Sequence, residues 1–332
     1  MRAVWVRAFA PFETVRTEEV PDPVPGPGEV LVDVVAAEVN YPDILVIEGN
    51  YQLKPPLPFS PGKTAAGRVS AVGEGVDNLA PGDAVSVEVE YGAYAEKVKA
   101  RAEHCYAMPS GMRFDTAAAL GLTYQTAWFA LTDRAVFQPR DVVLALGASG
   151  GVGMASLQVA KALGARLTIG GVRGKANAEL ALRCGADHVI ELGAPDLHDN
   201  LRTQVQDMTD GHGADIVIDP VGGEAHAAAL RALAWCGRMV IVGFASGQIP
   251  AIRANYLLVK NIAVSGLQWS DYRDRTPERV AGAQRELFAL CQEGRINPHI
   301  GRRLPLDRFA EGLRTLRNGG VQGKIILEVR PG

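Results

Sequence analysis

The sequence predicts an α/β protein in which a β-rich unit is joined to a doubly wound parallel sheet. Three observations carry this. Short β-branched runs cut by Pro/Gly turns fill the first third. A regular strand–helix alternation begins near Val142. A glycine-rich turn, GASGGVG, links the first strand and helix of that alternation.

The chain has 332 residues, enough for two domains, with 47% hydrophobic and 21% charged content, the texture of an ordinary globular protein. A net charge of -3 gives no basic footprint for nucleic acid. No apolar run approaches the ~18 residues that span a bilayer. The opening MRAVWVRAF is strand-like and shows no signal peptide, so the cytoplasm is the expected location. The four cysteines form no C-x-x-C pair and the six histidines no H-E-x-x-H, so no metal site is expected.

The elements follow in order. RAVWVR, EVLVDVVAAEV, AAGRVSAVG, DAVSVEV and YAEKVKA read as short strands, separated by PDPVPGPGE, PPLPFSPG and LAPGD. From about Met112 the texture turns helical through FDTAAALGLTYQTAWFALTDRA. Then strands DVVLALG, ARLTIGGV, DHVIEL, ADIVIDPV and GRMVIVG alternate with helices, and NIAVSGLQ reads as a last strand. Continuous apolar strands between helices belong in a parallel sheet covered on both faces. The tail, helical over PERVAGAQRELFALCQEG and ending in the strand KIILEV, is expected to return to the first unit.

Within GASGGVG, Ala148, Gly150 and Gly153 occupy the key positions of G-x-G-x-x-G, with alanine for the first glycine. Gly150 lets backbone approach a pyrophosphate, Gly153 lets helix pack on strand, and the helix N-terminus offers free N–H groups. A tight turn that binds nothing is the alternative. NAD-preferring sites carry an acid about 20 residues beyond the glycines. Here TIGGVRGKANAE has none before Glu179, and Arg173 and Lys175 stand where a 2′-phosphate would sit. This favours NADPH over NADH, unless both are ordinary surface charges.

The blocks VPGPGEVLVDVVAAEVNYPDILVIEGNY, PPLPFSPGKTAAGRVSAVGEGVDNLAPGDAV, GAYAEKV, AAALGLTYQTAWFAL, GASGGVGMASLQVAKALGA and GADIVIDPVGG, in this order and spacing, resemble the medium-chain dehydrogenase/reductases. More narrowly, the chain resembles the zinc-independent NADPH:quinone oxidoreductases related to ζ-crystallin. The resemblance implies a GroES-like catalytic domain from residues 1–122 and 267–332 around a Rossmann NADPH-binding domain at 123–266. Zinc-dependent relatives place a cysteine where this chain has Asn40, and His-Glu where Lys63 and Thr64 follow Gly62. These replacements remove the zinc ligands. Hydride chemistry without a Lewis acid suits acceptors that are already electron-poor, quinones or α,β-unsaturated carbonyls.

By the same resemblance Asn40 stands beside the nicotinamide ribose or the substrate oxygen, with a helix cap as its plainer role. Tyr51 matches an active-site tyrosine and is either a proton donor or an aromatic wall; Tyr41 is a weaker candidate of the same kind. Lys63 is unusual in type for such a site, and a nearby salt bridge explains it as well. The implied cofactor contacts are Thr126, Gly150, Gly151, Val152, Gly153, Arg173 and Lys175, then Val242, Gly243, Phe244, Gly266, Leu267 and Gln268. Gly323 and Lys324 are weaker candidates near the phosphate end, where a turn glycine and a surface lysine serve as well. Trp269 closes the pocket or belongs to the core or a dimer interface. The edge strand NIAVSGLQ is expected to pair two copies into a homodimer. The leading expectation is an NADPH-dependent quinone or enone reductase. The alternatives are an enoyl-thioester reductase, or a non-catalytic NADPH-binding protein of structural or RNA-associated kind.

Overall fold

The computed structural model describes residues 1–320 and 322–330. It comprises two compact units, the first formed by Met1–Leu122, Ser270–Gln292 and Pro298–Gly332, the second by Thr123–Trp269 and Glu293–Asn297.

The first unit is β-rich. A two-stranded ribbon pairs β1 (Arg2–Trp5) with β2 (Arg16–Glu19). The long strand β3 (Glu29–Val39) follows, then helix α1 (Tyr41–Ile47), β4 (Thr64–Val72), β5 (Ala84–Glu88), β6 (Lys97–Arg101), β7 (Cys105–Ala107) and α2 (Phe114–Ala119). The run EVLVDVVAAEV builds β3 because Val30, Val32 and Val34, at strand spacing on one face, join one core with Val85, Val87, Ile325 and Leu327. Each such side chain contributes roughly 1.5–3 kcal/mol when fully buried.

The second unit opens in α3 (Leu122–Phe129), whose first residue still belongs to the first unit. It alternates β8 (Val142–Leu146), α4 (Gly151–Ala162), β9 (Leu167–Val172), α5 (Lys175–Arg183), β10 (His188–Glu191), α6 (Leu197–Met208), β11 (Ala214–Asp219), α7 (Gly223–Arg231), β12 (Leu233–Ile241), α8 (Ala254–Lys260) and β13 (Ala263–Gly266). These six strands are all parallel, in the order β10-β9-β8-β11-β12-β13. That is a doubly wound sheet whose strand order reverses between β8 and β11, the point where such sheets bind ligands at their carboxyl ends. VVLAL reads as a continuous apolar run because β8 is central and buried on both faces.

The chain then forms α9 (Trp269–Arg275), α10 (Pro277–Gln292), β14 (Ile300–Pro305), α11 (Phe309–Arg317) and β15 (Lys324–Glu328). β14 and β15 complete a seven-stranded sheet, β14-β15-β3-β4-β5-β7, with β6 also paired to β3. The return to the β-rich unit thus begins at Ser270, three residues later than residue 267, which leaves Leu267, Gln268 and Trp269 in the second unit. Glu293–Asn297 also stays there because Gln158 holds it at both ends of its amide. Gln158 Nε2 donates to the Asn297 carbonyl at 2.9 Å, and Asn297 N donates to Gln158 Oε1 at 2.8 Å.

All four cysteines are free, Cys105 and Cys184 buried and Cys236 exposed. No helix among the described residues is long and apolar enough to cross a membrane.

Candidate active site and cofactor cradle

The phosphate-type cradle is built at the carboxyl end of β8. Gly147 takes φ +62°, and its carbonyl accepts the Gly150 N–H at 2.9 Å, which closes the turn. The residue that needs glycine's left-handed freedom is therefore Gly147, one position before the Ala148 that the motif alignment singles out. Ala148 is buried and extends the sheet by donating its N–H to the Gly171 carbonyl at 3.0 Å. A Cβ at Gly153 would lie 2.3 Å from the Gly147 oxygen, so α4 packs on the turn only with glycine there. A Cβ at Gly150 would meet the Gly147 oxygen alone, at 3.3 Å, leaving its outer face open. Gly150 caps α4 without a side chain, so the first amides of a twelve-residue helix retain their donors for an anion. These are the features a dinucleotide pyrophosphate requires, and the cradle fits one.

Apart from Thr126, the remaining predicted contacts of this unit follow strands along the same edge of the sheet. Arg173 and Lys175 follow β9; both are exposed, and neither forms an ion pair among the described residues. Val242, Gly243 and Phe244 follow β12, while Gly266 ends β13 and is followed by Leu267 and Gln268. Leu267 N donates to the Ile241 carbonyl at 3.0 Å, which joins the last two loops. Thr126 lies buried on α3, away from these strand ends in sequence. Trp269 is buried.

Two residues of this edge escaped the sequence reading. Asp219, the last residue of β11, accepts the Val221 and Gly222 amides at 2.8 and 2.9 Å on one oxygen. Its other oxygen lies 2.7 Å from His226 Nδ1, and its carbonyl accepts the Val242 amide at 2.8 Å. Asp219 therefore ties together two loops, the one after β11 through its carboxylate and the one after β12 through its main-chain carbonyl. Glu191, at the end of β10, accepts the Gly174 amide at 2.7 Å and the Gly193 amide at 2.8 Å. An acid thus does reach the loop between Arg173 and Lys175, but from the neighbouring strand and with both oxygens engaged by backbone.

In the first unit, polar side chains gather where β3 runs into α1, where β4 begins and where β5 ends. Asn40 precedes α1 and is buried. Its N–H donates to Asp43 Oδ2 at 2.8 Å, and its Nδ2 donates to Glu38 Oε2 at 3.2 Å. It is a helix-start residue as well as a fixed amide. Lys324 is buried and ion-paired to Glu38, so its side chain serves Asn40's anchor rather than a surface. Tyr41, the first residue of α1, is partly exposed, and Tyr51 is half-buried against the core. Lys63 Nζ sits 4.6 Å from the centroid of the Tyr51 ring and is ion-paired with Glu90.

Burial sets the proton affinities here. It raises the Asp43 carboxyl to about 6, against the opposing hydrogen bonds from Tyr94 and Asn40. It raises Glu88 to about 8, against the Thr64 hydroxyl and the Arg273 and Lys63 charges. Tyr94, buried and donating to Asp43 at 2.7 Å, is pushed well above the usual phenol range. Gly121 is obligatory beside Glu88, since a Cβ there would lie 2.0 Å from Glu88 Oε1. No three His, Cys, Asp or Glu side chains among the described residues gather to hold a metal ion.

Residues 26–136 match the alcohol dehydrogenase GroES-like domain, and residues 151–284 match the domain described as zinc-binding dehydrogenase. The chain is 33% identical over 332 residues to the quinone oxidoreductase of Mus musculus, covering 98% of this chain and 97% of that protein. The chain belongs to the quinone oxidoreductase family. Within the family it is also 34% identical to the quinone oxidoreductase-like protein 2 of Mus musculus, over 94% of this chain and 88% of that one. The Escherichia coli quinone oxidoreductase, solved in complex with NADPH, superposes with a TM-score of 0.90 at 29% identity, covering 99% of this chain and 100% of that chain. Family membership accounts for a GroES-like unit combined with a Rossmann-type sheet in one medium-chain dehydrogenase/reductase.

Proposed function

We propose that this chain is an NADPH-dependent reductase that delivers hydride to a quinone or an α,β-unsaturated carbonyl without zinc. The observation that carries the reading is the open turn Gly147–Gly153 combined with two exposed cations, Arg173 and Lys175, that have no ion-pair partner among the described residues and stand at the end of β9. Backbone donors suit a pyrophosphate, and the cations suit a 2′-phosphate. When bound, NADPH supplies the hydride.

The chain's own residues bind, orient and protonate. Gly150, Gly151, Val152 and Gly153 hold the pyrophosphate, while Val242–Phe244 and Gly266–Gln268, tied through Asp219 and Ile241, border the nicotinamide. Asn40, its amide held by Glu38, donates a hydrogen bond to the acceptor oxygen as negative charge develops there. Tyr51 gives the proton that completes the reduction, with Tyr41 as a neighbouring wall. Zinc does not fit this donor set. Asn40, Lys63 and Thr64 offer no thiolate, imidazole or carboxylate, and Lys63 brings a buried positive charge of its own.

A panel of acceptors tests the reading: 1,4-benzoquinone, an enone and crotonyl-CoA, each with NADPH and with NADH, before and after dialysis against a chelator. Chelator-insensitive turnover of the quinone or enone with NADPH supports it. Preference for crotonyl-CoA would make the chain an enoyl-thioester reductase, and binding without turnover would make it a non-catalytic NADPH protein.

We also propose a homodimer through β13, the edge strand of the parallel sheet, beside which Leu258 and Val259 of α8 are exposed. Sedimentation should give twice the chain mass, and a single chain mass would contradict it.

A further inference from the structure

Lys63 is a cation with almost no access to solvent, its side chain 2% exposed. The proposed hydride transfer does not use it. A buried ammonium persists only where partners compensate it. Its partner is the Glu90 carboxylate, and Nζ also lies 3.3 Å from the Glu90 carbonyl. Glu90 is itself fixed: its second oxygen accepts the Ser270 hydroxyl at 3.0 Å and Arg273 Nη2 at 3.3 Å. Arg273 is braced in turn by Asp274, at 2.8 and 3.1 Å. This scaffold holds the ammonium against one aromatic face, that of Tyr51, at 4.6 Å from the centroid. A cation over a ring face interacts more strongly when both are desolvated.

We propose that Lys63 is a positioning residue that acts through Tyr51: it fixes the ring and supports negative charge on the phenol oxygen while the proton leaves. The inference rests on Tyr51 being the proton donor of the proposed reductase. In that step the Tyr51 O–H bond breaks and an O–H or C–H bond forms on the acceptor, which has already received the hydride. Tyr51 is left as phenolate beside the ammonium until solvent returns a proton.

Other charged groups surround the pair. Glu90 and Arg273 lie on the Lys63 side, with Asp274 behind them. Asp43 and Glu88 both feel the Lys63 charge, Tyr94 is bonded to Asp43, and Lys54 lies over the neighbouring Phe9 ring. Lys63 Nζ lies over the Tyr51 ring itself.

The test is a near-ultraviolet absorbance titration of tyrosine ionisation in wild type, Y51F, K63M and the K63M/Y51F double variant, with no acceptor present. The difference between each pair isolates Tyr51. The expected result is that K63M raises the Tyr51 midpoint by about one pH unit, a tenfold change in ionisation, and that K63R restores it. An unchanged midpoint in folded K63M overturns the inference. If K63M does not fold, the Lys63 Cε proton shifts are compared between wild type and Y51L. A ring-current shift present in wild type and lost in Y51L is expected, and its absence in wild type overturns the contact. With an active acceptor, K63M should lower kcat about tenfold at unchanged KM for NADPH, and have little effect in the Y51F background. Equal losses in both backgrounds would make Lys63 merely structural. Because the titration needs no turnover, a protein inactive on every acceptor would sink the reductase reading and leave the Lys63–Tyr51 coupling separately decided.

Discussion

The Thr64 hydroxyl donates to Glu88 Oε2 at 3.0 Å, across the register that sets Thr64 of β4 opposite Glu88 of β5, and both side chains are fully buried. Burial raises the Glu88 carboxyl to about 8. In the unfolded chain the same group ionises near ~4.3. Between those values the folded protein holds a proton that the unfolded chain has lost, so stability falls as pH rises through this window. The slope is on the order of 1 kcal/mol per pH unit for one such group. E88Q removes the titration while keeping an acceptor for Thr64. Chemical denaturation at several pH values should show E88Q gaining on wild type between about pH 5 and pH 8. A pH-independent difference would show that Glu88 titrates normally.

The Gly147–Gly153 turn separates packing from ligand approach. G153A places a methyl 2.3 Å from the Gly147 oxygen and 2.8 Å from the Ala148 Cα, and both are backbone. It should cost about 1–3 kcal/mol of stability and abolish cofactor binding. At Gly150 the added methyl meets one oxygen at 3.3 Å, so G150A should melt near wild type yet bind NADPH at least tenfold more weakly. Thermal melts paired with fluorescence titration of NADPH check both. Similar melting losses for the two variants would contradict the division of roles.

Arg173 and Lys175 are the residues proposed to hold the 2′-phosphate. R173A and K175A should each raise KM for NADPH by about tenfold and leave KM for NADH within about twofold. The double variant should use the two cofactors nearly equally. Parallel loss of both cofactors would point instead to a change in the turn.

Lys324 offers a case in which two roles predict different measurements. Its ammonium pairs with Glu38, which holds the Asn40 amide, and all three side chains are buried. K324M leaves the Glu38 charge uncompensated and should destabilise the protein by about 3–5 kcal/mol. A lysine that contacted cofactor phosphate from the surface would raise KM for NADPH with little change in stability. Denaturation curves decide between them.

Patterns local in sequence were the legible ones. EVLVDVVAAEV reads as a strand because its valines recur at strand spacing, and VVLAL followed by GASGGVG reads as strand, turn and helix from a dozen residues. Features made by distant partners were not legible. Lys63 and Lys324 look like surface lysines until Glu90 and Glu38 are brought beside them. Glu191 reaches the Arg173 loop only because β10 pairs in register with β9, Glu191 opposite Val172. Glu88 becomes a neutral acid only once β4, β5 and the glycine at 121 enclose it. The motif puts Ala148 at its first key position, and the spacing template cannot see that the residue with positive φ is Gly147, one position earlier.

The proposed function is NADPH-dependent reduction of an electron-poor acceptor without a metal. Its most direct test is the rate of NADPH oxidation with 1,4-benzoquinone by chelator-dialysed protein, set against NADH at equal concentration. Sustained turnover with at least tenfold preference for NADPH, undiminished by dialysis, is the expected result. Equal use of NADH, or activity that vanishes on dialysis and returns with zinc, would contradict it.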